Sequence, residues 1–255
     1  MKTSKERRAE NNEKIKSMGI FCFEDLPVRE SSEEVKLKSF DEICKRAIAS
    51  LIVIQIAYDT NRGEFEEGKH FFAPMLEKYG VADELISKEQ ELFNGNYNKQ
   101  LVLDVAWTYE CYWSLVWALG LVDDITDASD VCDSRKAIEL VAQCENYEDF
   151  KSKCKLRNIE EILDMIDLYY RYHWATVEKM LYPEKDIGNL DVEVVPERRR
   201  GLEWLISDED DWFEIDLKTH LISKFKLGGQ NVNENHSHLR SIRLGNFYIR
   251  QIYQR

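Results

Sequence analysis

The sequence contains little proline and little glycine, the two residue types that most often interrupt regular structure. Four prolines and 11 glycines occur among 255 residues, which is about half of their usual combined share. This scarcity argues against a fold of many short strands joined by tight turns. Between Gly95 and Pro183 the only residue of either type is Gly120, so the sequence predicts an all-α fold with long central helices.

Positive charge is also scarce. Lys and Arg number 35 against 48 for Asp and Glu, which gives a net charge of -13, so phosphate backbones and anionic membranes would be repelled overall. We therefore expect no nucleic-acid partner and no membrane partner. The first 20 residues are charged and carry no apolar segment, so we expect neither a signal peptide nor an anchor and place the protein in the cytoplasm.

Known catalytic and metal-binding motifs are absent from the sequence. It contains no nucleophile elbow, P-loop, dinucleotide fingerprint or zinc-type spacing, and its six cysteines form no CxxC pair, so we interpret them as reduced and structural. His236 and His238 form a His-x-His pair without further ligands nearby, and we assign no metal to it. The sequence thus predicts no resident cofactor.

The order of apolar and polar residues predicts a helical bundle around a Trp-rich central helix. A capping box at Ser31 and Glu34 precedes a helix from Phe40 to about Tyr58, and Pro196 lies in the first turn of a final helix that reaches Ile206. Other helices are predicted over 71–79, 83–93, 101–122, 134–144 (with Ser134 as the cap), 148–153 and 158–181, with an acidic link over 123–133 and at most a short β element near 192–195.

The C-terminal end of the chain is basic, whereas the rest of the chain is acidic. Residues 221–255 carry six Lys or Arg and one acid. We predict a single helical domain over 1–219 followed by a basic, flexible tail over 220–255. The alternative is a basic arm that folds back on the acidic body or binds an acidic partner.

The helix over 158–181 carries an unusual polar strip. Winding at 100° per residue places five charged residues on one narrow face of an otherwise apolar helix: Glu160, Asp164, Asp167, Arg171 and Glu178. One interpretation is a solvated seam with an Asp167–Arg171 pair. The alternative is a cleft in which Glu160, Asp164 and Asp167 bind magnesium.

Two further polar residues lie among apolar neighbours. His173, on the apolar side of the same helix, is interpreted as a neutral core histidine bonded to one buried acceptor, and a general base is the alternative. Glu110 lies on a face with Trp107, Trp113 and Trp117. We expect it to pair with Arg171 or Arg198, and we expect Arg199 and Glu203 to pair on the surface.

Several sequence blocks together match the pattern of a known family. The blocks are Leu26-Pro27, 32–35, Trp107 with Glu110, 117–120, 161–164, 167–168, 170–175, 197–199, Leu202 and 204–205. With these blocks the chain resembles the bacterial family filed as domain of unknown function 4272. The resemblance covers most of 1–219 and implies an intracellular bacterial protein with one continuous domain, but no catalytic residue, cofactor or substrate. An Arg expected beside the central Trp is replaced by Thr108.

These charged residues suggest one polar network across three helices. Its predicted members are Glu110, Asp164, Asp167, Arg171, His173, Glu197 and Arg198. For function we predict a non-enzymatic protein-interaction factor, inhibitor-like or immunity-like, whose acidic surface recognises a basic or polar protein. The alternative is a magnesium-dependent hydrolase of phosphate compounds that uses Glu160, Asp164 and Asp167, with Arg171 steadying the phosphate.

Overall fold

A computed structural model of the protein describes residues 2–219, and the all-α prediction is confirmed: these residues form helices and no named strand. Short 3₁₀ turns occur at Ala82–Glu84 and Trp212–Glu214. The α-helices are α1 (Ser4–Ser17), α2 (Phe40–Asn61), α3 (Phe65–Lys78), α4 (Ser87–Phe93), α5 (Lys99–Trp107), α6 (Tyr109–Ala118), α7 (Ser134–Ala142), α8 (Tyr147–Lys153), α9 (Ile159–Leu181) and α10 (Val194–Trp204).

The helices pack around α2, α6 and α9. Helix α2 contacts α3, α5 and α6, while α10 lies against both α6 and α9, and α1 lies against α9. Every residue of α6 is buried, because its tryptophans and aliphatic side chains face neighbours on all sides. Gly201 allows α10 to approach α6 closely, since a Cβ at this position would lie 2.6 Å from the carbonyl oxygen of Cys111.

Helix α2 begins at Phe40 as predicted, but its capping box is not the predicted one. Ser31 and Glu34 do form the expected contact, with the Ser31 amide donating to the Glu34 carboxylate at 2.8 Å, but the contact closes only an isolated turn. The helix begins at Phe40, where Ser39 and Glu42 form a second capping box, because the apolar periodicity of a buried helix face starts only there. Helix α2 ends at Asn61 instead of near Tyr58.

The central apolar stretch is two helices and not one. Thr108 separates α5 from α6: its amide bonds to the carbonyl of Val105 at 3.1 Å and its hydroxyl donates to the same carbonyl at 2.6 Å. A threonine hydroxyl that bonds a carbonyl of the preceding turn competes with the regular helical ladder. The tight turn reorients α6 relative to α5.

Helix α3 begins earlier than predicted. Gly68, which precedes the predicted 71–79 helix, lies inside α3 and is buried. A Cβ at Gly68 would lie 2.6 Å from the Cβ of Asp59, so this glycine serves the close approach of α3 to α2. It does not end the helix.

Other boundaries follow local hydrogen bonds. Helix α9 spans Ile159–Leu181, close to the predicted 158–181, and Asn158 is its N-cap. Helix α7 is capped by Asp133 and not by Ser134 as predicted. The β element near 192–195 does not form, because the Asp191 side chain accepts from the amides of Glu193 and Val194 and starts α10 there. One isolated β-bridge joins Ile20 to Ile187.

Within residues 2–219, no helix combines the length and the apolar character needed to cross a membrane. All six cysteines are free thiols, as the sequence predicts. The predicted tail over 220–255, with His236 and His238, lies outside the described residues.

Candidate functional site

The polar strip of α9 centres on a fully buried ion pair. The Arg171 guanidinium donates twice to the Asp167 carboxylate, from Nε at 2.8 Å and from Nη2 at 2.7 Å. Both side chains have an exposed fraction of 0%. The solvated-seam interpretation is therefore wrong at this position, although the pair itself is confirmed.

Helix α1 supplies the partners that make this burial possible. Asn11 donates to Asp167 at 2.8 Å, and Arg171 donates to the side-chain oxygen of Asn12 at 3.0 Å. Arg7, only 1% exposed, donates to Asp164 at 2.8 Å and to Glu160 at 2.7 Å. A buried charge is tolerated where it is paired and hydrogen-bonded, and α1 and α9 meet this condition together.

These contacts argue against the alternative of a magnesium site. Arg7 pairs with Glu160 and Asp164, Lys2 also pairs with Asp164, and Arg171 pairs with Asp167. The carboxylates therefore already have the positive charge that magnesium would supply. Across the part of the chain that the structure describes, no group of three or more His, Cys, Asp or Glu residues is placed to hold a metal ion. The spacing of the acids correctly predicted that they share one face of α9. It did not predict that α1 supplies their partners.

A second buried ion pair joins α6 to α10. Arg198 Nε donates to Glu110 Oε2 at 2.7 Å, and the two side chains are 3% and 2% exposed. Of the two predicted partners of Glu110, Arg198 is confirmed and Arg171 is wrong. Burial alone would lower the pKa of Arg198, but Tyr169 and Glu110 outweigh it and raise this pKa above its usual value.

This second pair holds the backbone of the 123–133 loop, which we call the acidic loop. Arg198 donates to the carbonyls of Asp127 at 2.5 Å and Asp130 at 3.0 Å. The other oxygen of Glu110 accepts from the Cys132 amide at 2.7 Å. One ion pair thus satisfies three backbone groups of a segment that has no helix of its own. Tyr169 and Arg157 also donate to loop carbonyls, those of Ile125 at 2.5 Å and Asp123 at 3.0 Å, so the pair fixes the path of the loop together with these neighbours.

The aspartate side chains of the acidic loop are exposed, whereas Ile125, Ala128 and Cys132 are buried. Its five aspartates are exposed: Asp123, Asp124, Asp127, Asp130 and Asp133. None of them forms an ion pair with a residue of the described range. Several accept hydrogen bonds within the loop, and the bonds from Ser129 lower the pKa of Asp127. The loop therefore presents unneutralised negative charge on a fixed backbone.

His173 has a different partner from the one predicted. It is half-buried, and its Nδ1 lies 2.8 Å from Nη1 of Arg199. Because a guanidinium can only donate, Nδ1 accepts this bond, which excludes the predicted bond to a buried acceptor at this nitrogen.

Arg199 also binds Glu203 at 3.1 Å, and the side chains are 1% and 9% exposed, so this pair is buried and not on the surface as predicted.

Glu197, the last predicted member of the network, accepts from Arg200 at 3.2 Å and lies beside the Cys111 thiol. Burial raises the pKa of Cys111 well above its usual value. The structure thus distributes the seven predicted residues over four groups of contacts: Asp164, Asp167 and Arg171 with α1; Glu110 and Arg198 with the acidic loop; His173 with Arg199; and Glu197 with Arg200.

Sequence reasoning missed the contribution of α1. This helix is strongly polar, and no amphipathic pattern marks it as a packing element. A signal was nevertheless present: Arg7, Asn11 and Ile15 recur at four-residue spacing and are all buried on one face. The acidic loop was recognised only as a link between helices, because nothing in its composition shows that buried side chains hold it.

One comparison with known proteins found a match. A family model described as Domain of unknown function (DUF4272) matches residues 7–215. No curated protein and no solved structure matches the chain. The matched range begins at Arg7, which pairs with α9, and includes the acidic loop with the ion pair that holds it.

Proposed function

The chain belongs to the family described as Domain of unknown function (DUF4272), and we propose that it is a non-enzymatic protein that binds a basic protein partner through the acidic loop. One observation carries the proposal: five exposed aspartates without ion pairs lie on a loop whose backbone is held by the buried Glu110–Arg198 pair. An inhibitor or immunity-like factor needs such a preformed charged surface.

The distribution of charge supports this proposal. The buried acids of α6, α9 and α10 are each paired with an arginine, so their negative charges are neutralised inside the protein. The loop charges are not compensated in this way, and a net charge of -13 would steer a basic protein toward the surface. A fixed loop also loses little conformational entropy on binding.

The free thiols fit a reducing compartment, and we place the interaction in the cytoplasm. The binding experiment should therefore be carried out with thiols kept reduced. Immobilised full-length chain is incubated with a lysate of the native host, and retained proteins are identified by mass spectrometry. The affinity of the chain for a purified candidate is then measured at two salt concentrations.

The decisive variant is D123N/D124N/D127N/D130N. Asparagine keeps the oxygen that accepts the local hydrogen bonds of these residues, so charge is removed while the loop path is retained. The matched control, E33Q/E145Q/E148Q/E184Q, removes the same charge from four exposed acids elsewhere. We expect a basic protein that binds the wild type and the control but binds the loop variant at least roughly tenfold more weakly, since each exposed charge contact contributes up to about 1 kcal/mol.

Equal binding to the loop variant and the control would refute the proposal. So would an affinity that does not fall with added salt, because contacts between exposed charges are screened. Retention of acidic or neutral proteins alone would count against a charge-recognition role.

A further inference from the structure

A second surface of the molecule has a different character from the acidic loop. An open groove of about 790 Å³ lies between α3 and α4 and includes the turn at 82–84. Its apolar lining includes Ala73, Pro74, Leu85 and Phe93, and its acidic lining residues are Glu66, Glu77 and Asp83. These three acids are exposed, and none is in an ion pair with a described residue.

The groove lining carries three acids against one lysine, Lys69. Lys69 lies over aromatic rings, with Nζ 4.6 Å from the ring centroid of Phe93 and 5.8 Å from that of Phe65, and forms no ion pair with the three acids. The groove therefore combines an apolar floor with a net negative charge. Its chemistry suits a segment that alternates apolar and basic side chains and carries no acid.

The chain itself contains such a segment beyond the described residues. Residues 239–255 include four arginines and no acid. The arginines are Arg240, Arg243, Arg250 and Arg255, and the apolar or aromatic residues are Leu239, Ile242, Leu244, Phe247, Tyr248, Ile249, Ile252 and Tyr253.

The path of the described chain brings this segment within reach. The Ser87 amide, at the start of α4, donates to Asp211 at 3.2 Å, and Lys88 lies 4.4 Å from the ring centroid of Phe213. The chain thus passes α4 shortly before the described residues end at Thr219. The nineteen residues between 219 and 239 let the chain span up to about 70 Å, whereas a domain of this size has a radius of gyration of only about 17 Å.

We propose that residues 239–255 bind in the α3–α4 groove, with apolar side chains on its floor and arginines facing Glu66, Glu77 and Asp83. The bound segment covers an acid-rimmed apolar surface that would otherwise be open to other basic proteins. This proposal does not depend on the acidic loop or on the proposed function.

Photo-crosslinking in the full chain tests the proposal. The photoreactive amino acid p-benzoylphenylalanine replaces Phe247, the protein is irradiated, and the cross-linked peptides are identified by mass spectrometry. We expect cross-links within one chain to residues of the groove between Glu66 and Asn94. The E66Q/E77Q/D83N variant should lower their yield by about fivefold, because it removes three exposed charge contacts.

The control E33Q/E145Q/E148Q removes the same charge from exposed sites outside the groove and should leave the yield unchanged. Melting temperatures of both variants are measured to confirm that they fold alike. Cross-links to other surfaces, including the acidic loop, would overturn the proposal. Cross-links to the groove found only in covalent dimers would assign the groove to a second copy of the chain and would also overturn it.

Discussion

Two of the buried ion pairs, Asp167–Arg171 and Glu110–Arg198, have the same chemistry but different structural roles. Asp167–Arg171 has side-chain partners from α1, namely Asn11 and Asn12, so it joins two helices. Glu110–Arg198 has backbone partners in the acidic loop, so it joins two helices to a loop. A buried pair can therefore hold an exposed surface in place when its remaining hydrogen bonds go to backbone groups and not to side chains.

The largest effect is expected from Arg171→Ala. This variant leaves the fully buried Asp167 carboxylate without its counter-charge, which typically costs about 3–5 kcal/mol of unfolding free energy. Arg135→Ala is the matched control, since Arg135 and Glu139 have the same four-residue spacing but are 60% and 33% exposed; it should cost less than about 0.5 kcal/mol. Urea unfolding measures both, and equal losses would contradict the assigned role of burial.

A smaller loss is expected from Gly201→Ala, which probes the contact between the helices that carry Glu110 and Arg198. A Cβ here would meet the backbone of Cys111 at 2.6 Å, and overpacking of this kind costs about 1–3 kcal/mol. In an open helix position the same change would stabilise the protein by up to about 1 kcal/mol. A rise in the urea midpoint would therefore show that α6 and α10 are not in close contact.

The partly exposed ion pair between Asp41 and Lys151 can be compared with the buried pairs through the pH dependence of its contribution to stability. Lys151 and Tyr147 donate to Asp41 and lower its pKa from 3.8 to about 2. Because the folded pKa lies below the unfolded one, the pair stabilises the fold above about pH 4 and loses this effect as the pH falls toward 2.

The comparison variant is Asp41→Asn, measured by urea unfolding from neutral to acidic pH. Wild type should exceed it by only about 0.2–1 kcal/mol at neutral pH, since both Asp41 and Lys151 are partly exposed. The difference should shrink between pH 4 and 2. A difference that does not change with pH would show that the interaction does not depend on the charge of Asp41.

The smallest effect is expected from magnesium. Since Lys2, Arg7 and Arg171 pair with the three acids Glu160, Asp164 and Asp167, millimolar magnesium should not raise the melting temperature above that in sodium chloride of equal ionic strength. A rise that disappears in Asp164→Asn would contradict this account and support the hydrolase alternative.

Local patterns in the sequence were sufficient to predict α9 and one of its ion pairs. The Asn158 cap marks where α9 starts, and the four-residue spacing of Asp167 and Arg171 predicts their contact. Pairing of Glu110 with Arg198 could also be foreseen, because each lies on an apolar helix face where a lone charge would be costly.

Contacts that depend on tertiary placement could not be foreseen in this way. Nothing local to Arg7 shows that it covers Glu160 and Asp164, more than 150 positions away. Likewise, the break at Thr108 lies within an uninterrupted helical pattern, and the function of Gly68 as a close-approach residue is visible only once α2 lies beside it. The sequence therefore indicated which residues carry buried charge, but not how they divide among separate clusters.

Hydrogen exchange in Glu110→Gln is the most direct test of the claim that a buried ion pair holds the acidic loop. Glutamine keeps an acceptor for the Cys132 amide but removes the charge that fixes Arg198. In this variant we expect hydrogen exchange roughly tenfold faster than in the wild type at amides of the 123–133 loop, with little change in α1 and the first half of α9. Unchanged exchange in the loop, or a uniform increase along the whole chain, would contradict it.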